Sequence, residues 1–351
     1  MTRKFDIKNF IISHMIEFLL VVLIVCMAVA APGFLSTNNI LNIFRNVSLK
    51  GVIAVGMTLV IIGGEIDLSI GSQVALGGVV TAYVSQFLIG RGMPVEYSAL
   101  IGLVLATMVA ILAGIGHGMA ICHFRMPSFI ITLATQSVMY GLAAIICGGF
   151  PIINVFPSWY NFLGTGKLFG FVPFQAVILI IIFIIGWFLM EKTDLGRSIY
   201  AVGGNSESAR LSGINVQKVK IVIMVAVQLM ALLSGTMNSA QVRSATFGFG
   251  RGWETLVISA VVIGGASMSG GVGKIWGTFI GIMFTGVISN GMTLLNVNEY
   301  MQYVVNGLVF VTTKSVPITG LSEAFLTIGR GYVFGFFPVR PAKNMVLVQP
   351  I

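Results

Sequence analysis

The chain has 351 residues, 56% of them apolar and only 9% charged, with a net charge of +9. A soluble domain carries about 25% charged residues, so this composition cannot solvate the surface of a soluble protein and calls for the bilayer as solvent. The basic residues sit in short segments between apolar runs, which reads as a positive-inside bias and excludes nucleic acid as the partner.

The polar opening segment, residues 1–14, holds Arg3, Lys4 and Lys8. An apolar run from about Met15 to Ala31 follows and ends at Pro32-Gly33. No small-x-small cleavage site opens a soluble domain after it, so it is read as a retained first span rather than a signal peptide. Further spans are expected at Val47–Ile62, Gly71–Ile89, Tyr97–Ile121, Ser128–Cys147, Phe171–Met190, Val219–Ser239, Thr255–Gly264, Ile275–Leu295 and Tyr300–Thr313. The long ones approach the ~20 residues a helix needs to cross the hydrocarbon. The run at Thr255–Gly264 is short and reads as a half-helix ending at Gly264-Gly265. The fold class is therefore all-α: a polytopic membrane protein of about ten helices with glycine-rich breaks, its membrane domain covering residues 15–313.

Counting about ten spans puts the basic N-terminus, His123 with Arg125, the loop at about 191–218, and Lys274 on one side. That side is cytoplasmic, and both termini lie there. Arg45, Lys50, Arg91, Arg243 and Arg251 fall near the other face. Many of the 43 glycines recur inside apolar runs, where small residues let helix backbones approach. Cys26, Cys122 and Cys147 show no ligand or disulfide spacing and read as packing residues.

Three constellations stand out. The first is Gly63-Gly64-Glu65-Ile66-Asp67-Leu68-Ser69-Ile70-Gly71, where two carboxylates interrupt an apolar stretch. An ionised carboxylate at membrane depth costs several kcal/mol unless it is paired or wet. The motif fits a helix break beside a transport path, and equally a cytoplasmic turn with Asp67 capping the next helix. The second is the polar loop, where Asn205 or Ser206 can cap a short helix with Glu207 in its first turn. Arg210 follows Glu207 at i+3, and Gly213 can end the helix. The third is the glycine-rich stretch from Gly264 to Lys274. It fails the phosphate-loop pattern, because Met268 replaces the first glycine and Ile275 follows Lys274. The chain thus carries no nucleotide site of its own. VIIGGEIDLSIG (60–71) and VVIGGASMSGGVG (261–273) also echo one another weakly, as repeats with broken helices do in transporters, and equally as glycine-rich membrane segments do by chance. His14, His117 and His123 form no metal spacing, and His117 reads as a satisfied helix residue. No catalytic set, metal site or cofactor site is indicated.

Three blocks carry a family resemblance. They are VGMTLVIIGGEIDLSIGSQVAL (55–76), KTDLGRSIYAVGGNSESARLSGINV (192–216) and ISAVVIGGASMSGGVGKIWGTFIG (258–281). Together they resemble the permease subunits of bacterial ABC sugar importers of the ribose/xylose/galactose type, from about residue 30 to 310. The resemblance implies a permease of the inner membrane that works as a dimer, with itself or a paralogue, embedded in lipid. It would receive a monosaccharide or sugar-like solute from an extracytoplasmic binding protein and be driven by a separate cytoplasmic ATPase. It makes Gly203, Gly204, Asn205, Glu207, Arg210 and Gly213 the candidates for coupling to that ATPase. Glu65, Asp67, Ser69, Ser267 and Ser269 become candidates for the translocation path. The sequence departs from the family at Glu65, and again in the tail at 314–351. A stand-alone ion-coupled transporter is the alternative, and only the Glu65/Asp67 region offers the intramembrane charges it needs.

Overall fold

The computed structural model describes residues 14–298 and residues 301, 302, 304, 305, 307 and 308. The opening segment before His14, most of the expected span at 300–313 and the tail at 314–351 lie outside the described residues. Twelve helices are described in chain order. They are α1 (Met15–Ala30), α2 (Thr37–Ile62), α3 (Ile70–Ile89), α4 (Val95–Cys122), α5 (Ser128–Ile146), α6 (Ser158–Thr165), α7 (Phe174–Lys192), α8 (Asp194–Gly204), α9 (Ser206–Leu211), α10 (Val216–Val242), α11 (Trp253–Ile263) and α12 (Ile275–Leu294). Seven of these, α2, α3, α4, α5, α7, α10 and α12, are long and apolar enough to cross a membrane, and α1 and α11 are shorter apolar helices. Two small antiparallel ribbons complete the described elements. In one, β1 (Ile152–Ile153) pairs with β4 (Ser244–Ala245); in the other, β2 (Lys167–Leu168) pairs with β3 (Val172–Pro173).

α2 stands at the centre. Its most apolar window is 83% buried, against 17% for α5, so α2 is surrounded by protein while α5 faces outward. The outer helices show large apolar side chains, such as Leu112 on α4, Ile145 on α5 and Ile184 on α7. In water these would be a defect; against lipid tails they cost nothing. Packing between helices then depends on close backbone approach. Gly114 and Gly118 of α4 show this against α10: a Cβ on either would lie 2.5 Å from Val225 Cα or 2.6 Å from Ile221 Cα. This is the small-xxx-small seam that dispersion forces need in lipid.

α2 starts ten residues before the expected Val47, at Thr37, where the Ser36 hydroxyl accepts from Asn39 N. The sequence reading began this span at Val47 and set Arg45 and Lys50 near the face opposite the cytoplasmic one. The structure turns Lys50 inward instead, with its ammonium 5.7 Å from the Trp253 ring centroid. Asn39 of this first turn exchanges hydrogen bonds of 2.9 Å with Asn290 of α12. The start of α2 and the end of α12 thus share one end of the bundle.

The sequence echo at 60–71 and 261–273 has a structural counterpart. α2 and α11 stop in the same backbone motif. Gly64 and Gly265 take φ +80° and +90°, which a side chain with Cβ resists. Gly64 N bonds to Ile61 O and Glu65 N to Val60 O. In the same way, Gly265 N bonds to Val262 O and Ala266 N to Val261 O. This double closure satisfies carbonyls that a helix end inside a membrane would otherwise leave bare.

Candidate functional site

After α2 ends, residues 65–68 leave helical structure and run alongside α10. Glu65 is tied to Lys220 of α10 by a 2.5 Å ion pair. Asp67 is tied to Gln228 of the same helix, whose Nε2 donates to Asp67 Oδ2 at 2.7 Å. Lys220 and Gln228 lie roughly 12 Å apart along α10 at 1.5 Å per residue. The segment therefore climbs from the end of α2 into the interior, and α3 starts there rather than at the bundle end.

Asp67 is fully buried. Its Oδ1 accepts from Ser69 N at 2.8 Å and from Ser69 Oγ at 2.6 Å. Gln228 Nε2 also bonds Ser69 Oγ at 2.8 Å, which closes a triangle of three side chains. Asp67 thus joins the backbone just before α3, where an acceptor offsets the unpaired N–H groups and positive end of the helix dipole. His117 of α4 places Nδ1 3.6 Å from Asp67 Oδ2, beyond hydrogen-bond reach, and neither ring nitrogen has a hydrogen-bond partner. The reading of His117 as a satisfied helix residue is thus corrected. It is buried and polar, within ion-pair distance of the Asp67 carboxylate but without a hydrogen bond.

A second interior helix start lies next to this one. α11 begins at Trp253 after Gly252, and the segment before it crosses the start of α3. A Cβ on Gly71 would lie 2.3 Å from Gly250 O, 2.6 Å from Glu254 Oε2 and 3.0 Å from Tyr140 Oη. Glu254 Oε2 and Tyr140 Oη are buried without hydrogen-bond partners, and the Arg251 guanidinium lies 5.2 Å from the Tyr140 ring centroid. The interior of the bundle therefore holds two helix starts and a ring of polar groups. Such irregular backbone is tolerated at membrane depth only where protein or a wet cavity covers it.

The sequence reading missed Gln228, Lys220, Glu254 and Tyr140. Gln228 and Lys220 could have been suspected as polar residues on an otherwise apolar helix, but nothing local names their partners. Ser267 and Ser269 are not brought to Asp67. They lie in the turn between α11 and α12, where Ser269 N donates to Ser267 Oγ at 3.2 Å and Ser269 is exposed.

At the end of the bundle where α2 stops, three glycine segments meet backbone to backbone. Gly271 N donates to Ile62 O at 2.8 Å. A Cβ on Gly270 would lie 2.5 Å from Gly203 O and 2.9 Å from Gly64 Cα. Tyr200 of α8 donates its hydroxyl to Gly273 O at 2.8 Å. α8 is thereby joined to the end of α2 and to the glycine turn between α11 and α12. Its neighbour α9 is capped by Asn205, whose Oδ1 accepts from Ser208 N at 2.9 Å. Arg210 grips Glu207 with two hydrogen bonds, of 2.6 and 3.1 Å, and these hold the Glu207 carboxyl below the usual carboxylate range. Gly213 follows at φ +85°, and Leu211 is 75% exposed. α9 thus presents an ion pair and an apolar side chain outward.

A family described as "Branched-chain amino acid transport system / permease component" matches residues 39–313. The chain belongs to this family. Among its relatives are the ribose import permease protein RbsC of Escherichia coli K12, 36% identical over 88% of this chain and 94% of the relative. RbsC of Bacillus subtilis is 37% identical over 83% of this chain and 88% of the relative. The xylose transport system permease protein XylH of Haemophilus influenzae is 31% identical over 86% of this chain and 95% of the relative. No solved structure matches. As a member of the family, the chain is a transport subunit of the inner membrane and not itself an enzyme. Among the described residues no three His, Cys, Asp or Glu side chains cluster to hold a metal.

Proposed function

We propose that this permease carries a monosaccharide or sugar-like solute inward through the polar interior where α3 and α11 begin. The observation that carries the reading is the Asp67–Ser69–Gln228 triangle at an interior helix start, in a chain whose relatives are named for ribose and xylose. The family description names branched-chain amino acids, but relatives named for ribose and xylose align along most of the chain. Hydroxyl-rich solutes need many hydrogen-bonding groups, and this interior supplies Ser69, Gln228 and Tyr140 beside the carboxylates of Asp67 and Glu254. Asp67 and Ser69 border the path. Glu65 braces it through Lys220, and Ser267 and Ser269 sit at its mouth.

The end of the bundle carrying α8 and α9 is the cytoplasmic end, and about ten spans cross the bilayer. A separate ATPase docks on α8 and α9, touching Asn205, Glu207 and Arg210 with Gly213 setting the exit. An extracytoplasmic sugar-binding protein delivers the solute at the other end, and a second permease subunit completes the pair. Because Gly203 lies against the end of α2 and the glycine turn between α11 and α12, movement of α8 is passed to the backbone that precedes α3 and follows α11. The ion-coupled alternative has little to rest on: Glu65 is already paired with Lys220, and Asp67 is hydrogen-bonded on both oxygens.

Co-purification from native membranes tests this first. A stoichiometric ATPase is expected, and a permease that takes up solute on an ion gradient alone would sink the proposal. Arg210→Glu is expected to place two carboxylates side by side on α9. ATP-driven uptake should fall at least about tenfold while membrane insertion is kept. Normal uptake by this variant would remove α9 from the docking surface.

A further inference from the structure

Between α2, α10, α11 and α12 lies a cavity of about 310 Å³, at the end opposite the glycine joint. Its size is at the lower bound for small-molecule sites, roughly 300 Å³. Its polar lining includes Lys50, Asn46, Asn238, Gln241 and Ser289, with the Trp253 ring on one wall. Trp253 is the first residue of α11 and precedes Glu254, so the cavity borders the interior where α3 begins.

The charge of this cavity is one-sided. No carboxylate lines it, and none of the four ion pairs among the described residues includes Lys50. Lys50 meets only the Trp253 ring, at a distance where cation–π attraction is modest. A lysine facing the inside of a membrane bundle is costly unless something pairs it, and such residues mark solute or ion pathways. The neutral lining supplies amide and hydroxyl groups that both donate and accept. Gln175 Nε2 donates to Gln241 Oε1 at 2.7 Å, so that oxygen is already engaged while Gln241 lines the cavity. Asn46 and Asn238 make no side-chain hydrogen bond among the described residues, so both are free to meet hydroxyl groups.

We propose that this cavity is a solute-binding station and that Lys50 suits it to a sugar bearing a carboxylate, an aldonate or uronate, with Trp253 against the sugar carbons. The assignment rests on the sugar-import reading and narrows it. The carboxylate supplies the charge that the lining lacks, and the amides of Asn46, Asn238 and Gln241 meet the hydroxyls.

The test compares D-gluconate with D-glucitol, which differ in shape only where a carboxylate replaces a hydroxymethyl group. Equilibrium dialysis of each radiolabelled probe against the full chain in lipid nanodiscs is the readout. The wild type is expected to bind gluconate at least tenfold more tightly than glucitol, about 1.4 kcal/mol. Lys50→Gln should bring that ratio close to one, and Lys50→Arg should keep it. An unchanged melting temperature in Lys50→Gln establishes that the fold survives. Equal binding of the two probes, no binding of either, or a preference that survives Lys50→Gln overturns the assignment. The import reading is judged separately by ATPase co-purification, so the two failures are distinguishable.

Discussion

Gly203→Ala is expected to abolish ATP-driven uptake and to lower the melting temperature of the solubilised permease, while Gly204→Ala leaves both near wild type. The two glycines are neighbours at the end of α8, yet their surroundings differ. A Cβ on Gly203 would lie 1.7 Å from Ile62 O and 2.8 Å from Gly271 N, whereas a Cβ on Gly204 meets nothing within 4 Å. The obstructing atoms at Gly203 are backbone atoms at the end of α2 and in the glycine turn before α12, and they cannot rotate away. Overpacking against yielding side chains already costs about 1–3 kcal/mol, and this contact should exceed that. The Gly271 N to Ile62 O bond would also break, leaving the joint open. Thermal melting and vesicle uptake of the matched pair decide the matter. Equal behaviour of the two variants would mean that the joint yields, and that α8 does not act through it.

Asp67→Ala is expected to destabilise the permease by about 3 kcal/mol, the scale set by losing charge-assisted hydrogen bonds and stranding their buried donors. Ser69 N and Ser69 Oγ lose their acceptor, and Gln228 Nε2 keeps only its bond to Ser69 Oγ. Asp67→Asn retains one carbonyl acceptor, so its loss should be smaller. Gln228→Leu combined with Asp67→Ala should cost less than the sum of the single changes, because the second change removes a donor that the first has stranded. Thermal unfolding of the four proteins gives the coupling directly. Strict additivity, or an Asp67→Ala variant as stable as wild type, would show that the triangle contributes nothing to the fold.

Some of this architecture can be read along the chain because its cause is local. The scarcity of charge alone demands a bilayer, so the all-helical, many-span class follows from composition. The Gly-Gly pairs at 63–64 and 264–265 identify two helix stops, since only glycine enters the positive-φ turn cheaply. Asn205, Glu207, Arg210 and Gly213 outline a capped surface helix, because each acts within one turn of itself.

Tertiary structure decided everything that depends on partners far away in sequence. The sequence set Lys50 near the end of a span, and only the packing of α11 against α2 brought it to face Trp253. Asp67 could have capped a cytoplasmic turn; its contact with Gln228, 161 residues on, placed it in the interior instead. Glu254 and Tyr140 carry no local signal, and they meet only because α3 and α11 both begin inside the bundle. The physical reason is the same in each case. Composition, caps and helix stops are set by near neighbours and the solvent, whereas a polar residue in an apolar helix is described by its type alone until packing supplies the group that pays for its burial.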